Sequence, residues 1–375
     1  MIEEEASSMG TKLAIVLGTR PEIIKLSPLL RACTESRLPH TVIHTGQHYT
    51  ESLDAVFFDQ LELREPDHHL AVGSGTHAEQ TAEMMVGIEQ VLLEEQPDVV
   101  LVQGDTNSVL AGTMATSKLE IDLGHVEAGL RSFDRTMPEE TNRVIADHTA
   151  EYLFAPTPQS RTHLLEEGID RDRIYVTGNT VVDAVDQNRE LAAAKSTVLP
   201  DLDLEPGAFG LMTAHRAENV DDAERFAGIL EGADRVATQF GIEIVYPIHP
   251  RAEEAIDTFG LEVPDGVRVI EPQDYLDFLV LQDEASVVLT DSGGIQEEAC
   301  ILGVPCVTLR DNTERPETVD VGANRLAGTD PDSILDRTLE TVDDVGNWEN
   351  PFGDGKATDR ILEPLLETPV QEVAQ

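Results

Sequence analysis

The feature that most constrains this chain is a rhythm: short apolar runs that end in Gly, Thr or a turn, each followed by a longer segment of helical period. From Lys12 onward, KLAIVLG, HTVIHTG, DVVLVQG, LGHVEAG, YLFAPT and IYVTG keep it. Near-continuous runs of this kind lack the alternation of a strand with one wet face, so they need cover on both faces. A parallel sheet with helices on each side supplies that cover. The series stops near Asn179, the stretch from Leu191 to Gly207 is irregular and carries Pro200 and Pro206, and the rhythm then restarts with AFGLMTAH, IEIVYPIH, VRVIEP, SVVLTD, PCVTLR and NRLAGT. The sequence therefore predicts two doubly wound α/β domains, residues 9–180 and 181–357, with a cleft facing the strand carboxyl ends, where ligands of open α/β sheets bind. A helix near Thr358 to Leu366 is a candidate to carry residues 358–375 back to the first domain.

Charge narrows the partners. The chain holds 72 acidic against 26 basic residues, only five of them Lys, for a formal net charge of -46 spread along its length. Nucleic acid and anionic membrane both need a basic face, so neither is expected as a partner. Pervasive Asp and Glu with scarce Lys resemble proteins of salt-loving archaea, where salt screens self-repulsion. The opening MIEEEASSMG lacks the basic and apolar regions of a signal peptide, Met9 offers a second start, and a cytoplasmic location is expected. Cys33, Cys300 and Cys306 form no framework, so neither disulfides nor a metal site are expected.

The unusual polar clusters fall at strand ends. GTRPEIIKLSPL follows the first strand and places Arg20 and Lys25 at or near a helix start, as a solvated pair or as holders of an anion. VQGDTNS puts Asp105 just past a buried run, where an acid also caps helices. In HVEAGLRSFDRTMPEETNR, Glu127 leaves a strand with no capping role to explain it, whereas Glu139 and Glu140 after Pro138, with Arg143 behind them, also suit a helix start. TAHRAEN sets His215 at a strand end, while His249 between two prolines reads as structural. TDSGGIQEEA gives strand, glycine turn and helix, so Ser292, Gly293 and Gly294 offer backbone N–H groups to an anion, with Glu298 a turn away to accept from ribose hydroxyls. Arg315 in DNTERPE returns to the same rim. The string GSGTHA at Gly73 to Ala78 is a weak dinucleotide fingerprint because the PDHHL before it makes a poor buried strand, and no G-x-x-x-x-G-K-[ST] is present.

Taken together, GTRPEIIK, TGQH, QGDT, HVEAGLR, PEETNR, AHRAEN, IHP, DSGGIQEEA and TERPE resemble the non-hydrolysing UDP-N-acetylglucosamine 2-epimerase family, in order from Gly18 to about Gly328. The resemblance implies a glycosyltransferase-B-like pair of Rossmann-like domains, a UDP-sugar in the cleft, no NAD or metal cofactor, and a homodimer. The implied reaction interconverts UDP-GlcNAc and UDP-ManNAc and so supplies ManNAc-type sugars for glycan synthesis. It makes Asp105, Glu127, Glu139 and His215 the catalytic candidates. Candidates for contacts to the UDP-sugar are Arg20, Lys25, Arg143, Phe278, Ser292, Gly293, Gly294, Glu298 and Arg315, with Phe278 beside uracil unless it is a core residue of an amphipathic helix. Thr50 stands where members activated by a second UDP-GlcNAc carry Gln, so such activation is not expected. The loop RSFDRTM is shorter than in many bacterial members, which leaves the sugar's substituents open. A hydrolysing epimerase, an epimerase of a diacetamido uronate and a glycosyltransferase of the same architecture are the alternatives.

The residues suit the implied chemistry. A proton on C2 of the sugar is not adjacent to a carbonyl, so it becomes acidic only if the C1–oxygen bond to UDP breaks and C1 gains oxocarbenium character. Carboxylates near the ring stabilise that charge and move protons, each positioned group contributing about 10²- to 10⁴-fold. Donors at the diphosphate stabilise the departing UDP and retain it.

Overall fold

The computed structural model describes residues 10–47, 51–73, 75–342 and 348–367, and the side chains of all of these except 51–55 and 367. Met9 and Thr50 lie outside the described residues. The chain divides into two compact units, Met1–Ala184 with Phe352–Gln375, and Val185–Pro351. The division falls four residues beyond the expected 180/181 boundary, inside the helix Thr180–Lys195. At the other end it falls at 351/352, where the sequence suggested 357/358.

Among the described residues the first unit is built on seven parallel strands: β1 (Leu13–Leu17), β2 (His40–His44), β3 (His68–His69), β4 (Val99–Gln103), β5 (Asp122–Val126), β6 (Tyr152–Ala155) and β7 (Ile174–Val176). Their order in the sheet is β3-β2-β1-β4-β5-β6-β7. β3 is the strand that periodicity could not foresee: two half-buried histidines on a sheet edge give no apolar run to read. It leads toward the helix His77–Glu95, which Thr76 and Glu79 cap reciprocally. Val16, Val100 and Val102 pack with Met84, Ile88, Leu92 and Val109 in the core, each buried large side chain stabilising by about 1.5–3 kcal/mol. The helix Ala357–Glu367 joins this unit: Thr11 Oγ1 donates to the carbonyl of Leu365 (3.0 Å), and Asp183 accepts the first-turn N–H groups of Ala357 and Thr358 (3.2 and 2.9 Å).

The second unit carries β8 (Phe209–Thr213), β9 (Glu243–Pro247), β10 (Val267–Ile270), β11 (Val288–Thr290), β12 (Cys306–Thr308) and β13 (Asn324–Leu326), all parallel, in the order β10-β9-β8-β11-β12-β13. Successive strand residues serve opposite faces. Phe209, Leu211 and Val245 join one apolar cluster with Val198, Leu281 and Ala299, whereas Met212, Ile244 and Tyr246 join another with Phe226, Ile229 and Leu230. Burial on both faces is why these strands read as unbroken apolar runs.

In each unit the chain leaves the first strand on one side and the fourth on the other, so the order reverses between β1 and β4 and again between β8 and β11. Such switch points leave a crevice at the strand carboxyl ends. The loops that leave these four strands are Gly18–Thr19, Gly104–Thr106, Ala214–Arg216 and Asp291–Ser292.

Candidate active site

In the first unit Glu127 follows β5 directly, with φ of 68°, a left-handed conformation that a side chain of this size adopts at a cost of about 1–3 kcal/mol. Internal donors hold it there. Oε1 accepts from Lys25 Nζ (2.6 Å) and from Asn179 Nδ2 (2.9 Å), and Oε2 accepts from Gln103 Nε2. The carboxylate is buried, so its charge is oriented by three elements and fixed in place before any ligand arrives. Lys25, foreseen as an anion holder, therefore meets Glu127. Arg20 at the same helix start is exposed, with its guanidinium 5.7 Å from the centre of the Phe57 ring.

Asp105 lies past β4 with its side chain 34% exposed and pairs with Arg143 Nη2. The other arm of Arg143 reaches Glu140 (2.9 Å), which also accepts the N–H and hydroxyl of Ser132 (3.0 and 2.9 Å) and the N–H of Phe133 (3.1 Å). Burial pushes the Glu140 carboxyl up, but Ser132, Arg143 and Phe133 outweigh it and hold the group below the usual carboxylate range. The two acids of PEE thus differ: Glu140 is an internal strut that anchors the RSFDRTM loop, while Glu139, one residue earlier on the same first helical turn, is half-buried and its side chain makes no hydrogen bond or ion pair among the described residues.

Beneath these groups lies a buried network that the sequence did not disclose. Asp147 accepts from His125 Nδ1 (2.7 Å), from Arg131 Nη1 (2.7 Å) and from the N–H of Gly129 (3.1 Å), while His125 Nε2 donates to the carbonyl of Gly104 (2.8 Å). Burial disfavours a charged imidazole, yet Asp147 and the Gly104 carbonyl raise the His125 pKa above its ordinary value. Burial pushes the Asp147 carboxyl up, but His125 and Arg131 hold it below the usual range. This network fixes the turn Glu127–Gly129 against the loop that carries Asp105.

In the second unit Asp291, fully buried past β11, organises the opposite loop. Its Oδ2 accepts the N–H groups of His215 and Arg216 (2.9 Å each) and Asn219 Nδ2 (3.2 Å), and its Oδ1 lies 3.0 Å from His215 Nδ1. Burial pushes this carboxyl up, but His215 and the two N–H groups bring it below the ordinary value. With Nδ1 engaged, Nε2 is the atom His215 has left for a ligand, and the side chain is 41% exposed. His249 caps its own helix by accepting the N–H of Arg251 (3.1 Å), so the structural reading of that residue accounts for it.

The glycine turn opens the helix Gly293–Leu302, with Ser292 at its N-cap position making no side-chain capping bond. Neither Gly293 nor Gly294 has a positive φ. A Cβ on Gly294 would meet nothing within 4 Å, and one on Gly293 would lie 3.6 Å from Glu314. Nothing in the chain's own packing requires glycine at either place, and two bare residues at a helix N-terminus leave its N–H groups open to close approach. Arg315 lies 2.8 Å from buried Glu297 on that helix, and Glu298, the next residue, is half-buried. Phe278 is half-buried against the cluster that contains Leu281 and Ala299, which is the core packing weighed for it as an alternative. Arg310, which no motif flagged, joins Glu218 and Glu314 (2.8 Å each) and, with Arg216, brings Glu314 down to about 2 although burial alone pushes that carboxyl up.

Residues 31–366 match the family described as UDP-N-acetylglucosamine 2-epimerase. The chain is 51% identical over 361 residues to the UDP-N-acetylglucosamine 2-epimerase of Methanocaldococcus jannaschii, covering 94% of this chain and 98% of that one. It is 40% identical over 359 residues to the UDP-2,3-diacetamido-2,3-dideoxy-D-glucuronate 2-epimerase of Pseudomonas aeruginosa, covering 94% and 99%. The crystal structure of the Methanocaldococcus jannaschii UDP-GlcNAc 2-epimerase in complex with UDP-GlcNAc and UDP is similar with a TM-score of 0.83 over 95% of this chain and 99% of that one.

Proposed function

The chain belongs to the UDP-N-acetylglucosamine 2-epimerase family, and from that premise we propose that it inverts C2 of UDP-GlcNAc to give UDP-ManNAc, reversibly and without hydrolysis. The likeness over 94% of the chain to an enzyme of that name carries the reading. The first step breaks the C1–oxygen bond, with the electron pair leaving on UDP, and a carboxylate takes the C2 proton to form the double bond of 2-acetamidoglucal. Return of a proton to the opposite face of C2 and of the UDP oxygen to C1 completes inversion. The steps balance without a hydride donor or acceptor, and the proposal includes neither NAD nor a metal.

Roles divide by chemistry. Asp105, Glu127 and Glu139 stabilise positive charge at the ring and move protons, and the fixed surroundings of Glu127 suit a group whose charge must not reorient during the step. The Ser292 hydroxyl and the N–H groups of Gly293 and Gly294, with His215 and Arg315, bind the departing diphosphate, the Ser292 N–H being given to Thr290 Oγ1 (3.0 Å), and Arg20, Lys25 and Arg143 support the substrate's oxygens. Glu298 accepts from ribose, and the exposed part of Phe278 borders uracil while the rest of its ring packs on the core. Incubation with UDP-GlcNAc followed by proton and phosphorus NMR tests this: UDP-ManNAc should appear at a stable ratio with no free sugar. Release of free ManNAc with UDP would make it a hydrolysing enzyme, and inertness without an acceptor a glycosyltransferase.

The 40% likeness to a diacetamido uronate epimerase makes that sugar the substrate to run beside UDP-GlcNAc, and faster inversion there would move the assignment. The reading extends to a cytoplasmic homodimer that works in concentrated salt. A net charge of -46 repels itself most at low ionic strength, so activity should rise with KCl, and sedimentation in the same salt should give twice the chain mass.

A further inference from the structure

The spacing T-x-x-E with Thr at the N-cap position opens two helices in the first unit, and the two copies behave differently. At Thr76 and Glu79 it makes an exposed capping box, and the hydrogen bonds from Thr76 hold Glu79 below its ordinary pKa. At Thr19 and Glu22 the acid is 2% exposed. Its Oε2 accepts the N–H of Gly18 (2.8 Å) and the hydroxyl of Thr19 (2.9 Å), and its Oε1 accepts the hydroxyl of Thr106 (2.7 Å), 84 residues away. Capping explains the near end of this arrangement. It explains neither the burial nor the bond to Thr106.

Gly18 and Thr19 leave β1, and Thr106 leaves β4, so the carboxyl spans the switch point of the first sheet. On one side the next residue is Arg20, and on the other the preceding one is Asp105. Space there is tight: a Cβ on Gly18 would sit 1.9 Å from Thr45 Oγ1 and 2.3 Å from Ser108 Oγ. No Lys, Arg or His forms an ion pair with Glu22 among the described residues. Its surroundings are three neutral donors, and burial outweighs them, pushing the group up to about 7.

We infer that Glu22 is a positioning residue, a buried carboxyl that ties the β1 loop to the β4 loop and so sets Asp105 and Arg20 for the reaction. It touches no reacting atom. The inference rests on the epimerase reading above. A Gln at this place can reproduce the protonated acid, its carbonyl accepting from Gly18 and Thr19 and its amide donating to Thr106, whereas Ala leaves all three donors without their acceptor.

The test compares Glu22→Ala, Glu22→Gln, Thr106→Val and Thr106→Ser with the wild-type chain, measuring kcat and KM for UDP-GlcNAc, UDP affinity by calorimetry and near-UV circular dichroism. Glu22→Ala and Thr106→Val should each lose at least about tenfold in kcat while UDP affinity stays within about threefold, and Glu22→Gln and Thr106→Ser should recover most of the rate. If Glu22→Ala does not fold, the two Thr106 variants decide. Wild-type kcat in Thr106→Val or a folded Glu22→Ala, or a loss shared between kcat and UDP affinity, would overturn the assignment while leaving the epimerase reading intact. A wild-type chain that leaves UDP-GlcNAc unchanged overturns both.

Discussion

Both units close their switch point with a buried carboxylate, and the two do so with different chemistry. Asp291 reaches from the fourth strand of its sheet to the loop of the first, where His215 and two backbone N–H groups meet it. Glu22 reaches from the first strand to the fourth and meets two hydroxyls and one N–H. A carboxylate that faces an imidazole and backbone N–H groups is held below its ordinary pKa and can orient the imidazole beside it. One that faces only neutral donors sits near its point of ionisation. The contrast extends outward: the first unit holds Asp105 and Glu127 in side-chain networks and leaves Glu139 outside them, while the second presents backbone N–H groups suited to an anion.

The largest effect should separate these tasks. Glu127→Gln should lower kcat by about 10²- to 10⁴-fold while UDP binding, measured by calorimetry, changes by less than about threefold. An equal loss in both would erase the division between the units. Next in size, Asp147→Ala leaves His125 and Arg131 buried without their shared anion, at a cost of about 3–5 kcal/mol. In urea unfolding followed by hydrogen exchange, that loss should fall on the first unit, and an equal loss in the second would show the two unfold as one.

Gly294→Ala reverses the first experiment. The methyl group fits the chain itself, so thermal stability should hold while UDP affinity falls about tenfold, or ~1.4 kcal/mol. Unchanged affinity would remove the glycine turn from the binding account. A further effect is in pH. The folded-state pKa of Glu22 is raised from 4.5 to about 7, so the stability it contributes is complete below the lower value and lost as pH rises through the higher. Asp291 is depressed, so its contribution is present above the ordinary Asp value and lost on acidification. Urea melts across this range should show Glu22→Gln flattening the neutral side alone; loss of the acid side instead would reverse the comparison.

What the sequence disclosed follows from how these features are built. Strands buried on both faces announce themselves as apolar runs, and β3, with two residues at a sheet edge, does not. Glu127 stood out because an acid directly after a buried strand has no local helix to cap. Asp147 and Glu22 did not, since each occupies an ordinary helical position and meets partners 22 and 84 residues away. The glycines of TDSGGIQEEA suggested a cradle, but only the space around Gly294 shows that the chain does not need glycine for itself.

In the proposed reaction the C2 proton leaves and returns within an enzyme that holds UDP meanwhile. Incubation of UDP-GlcNAc with the wild-type chain in D₂O, read by proton NMR and mass spectrometry, should place one deuterium at C2 of both epimers. UDP-ManNAc formed without label would contradict it.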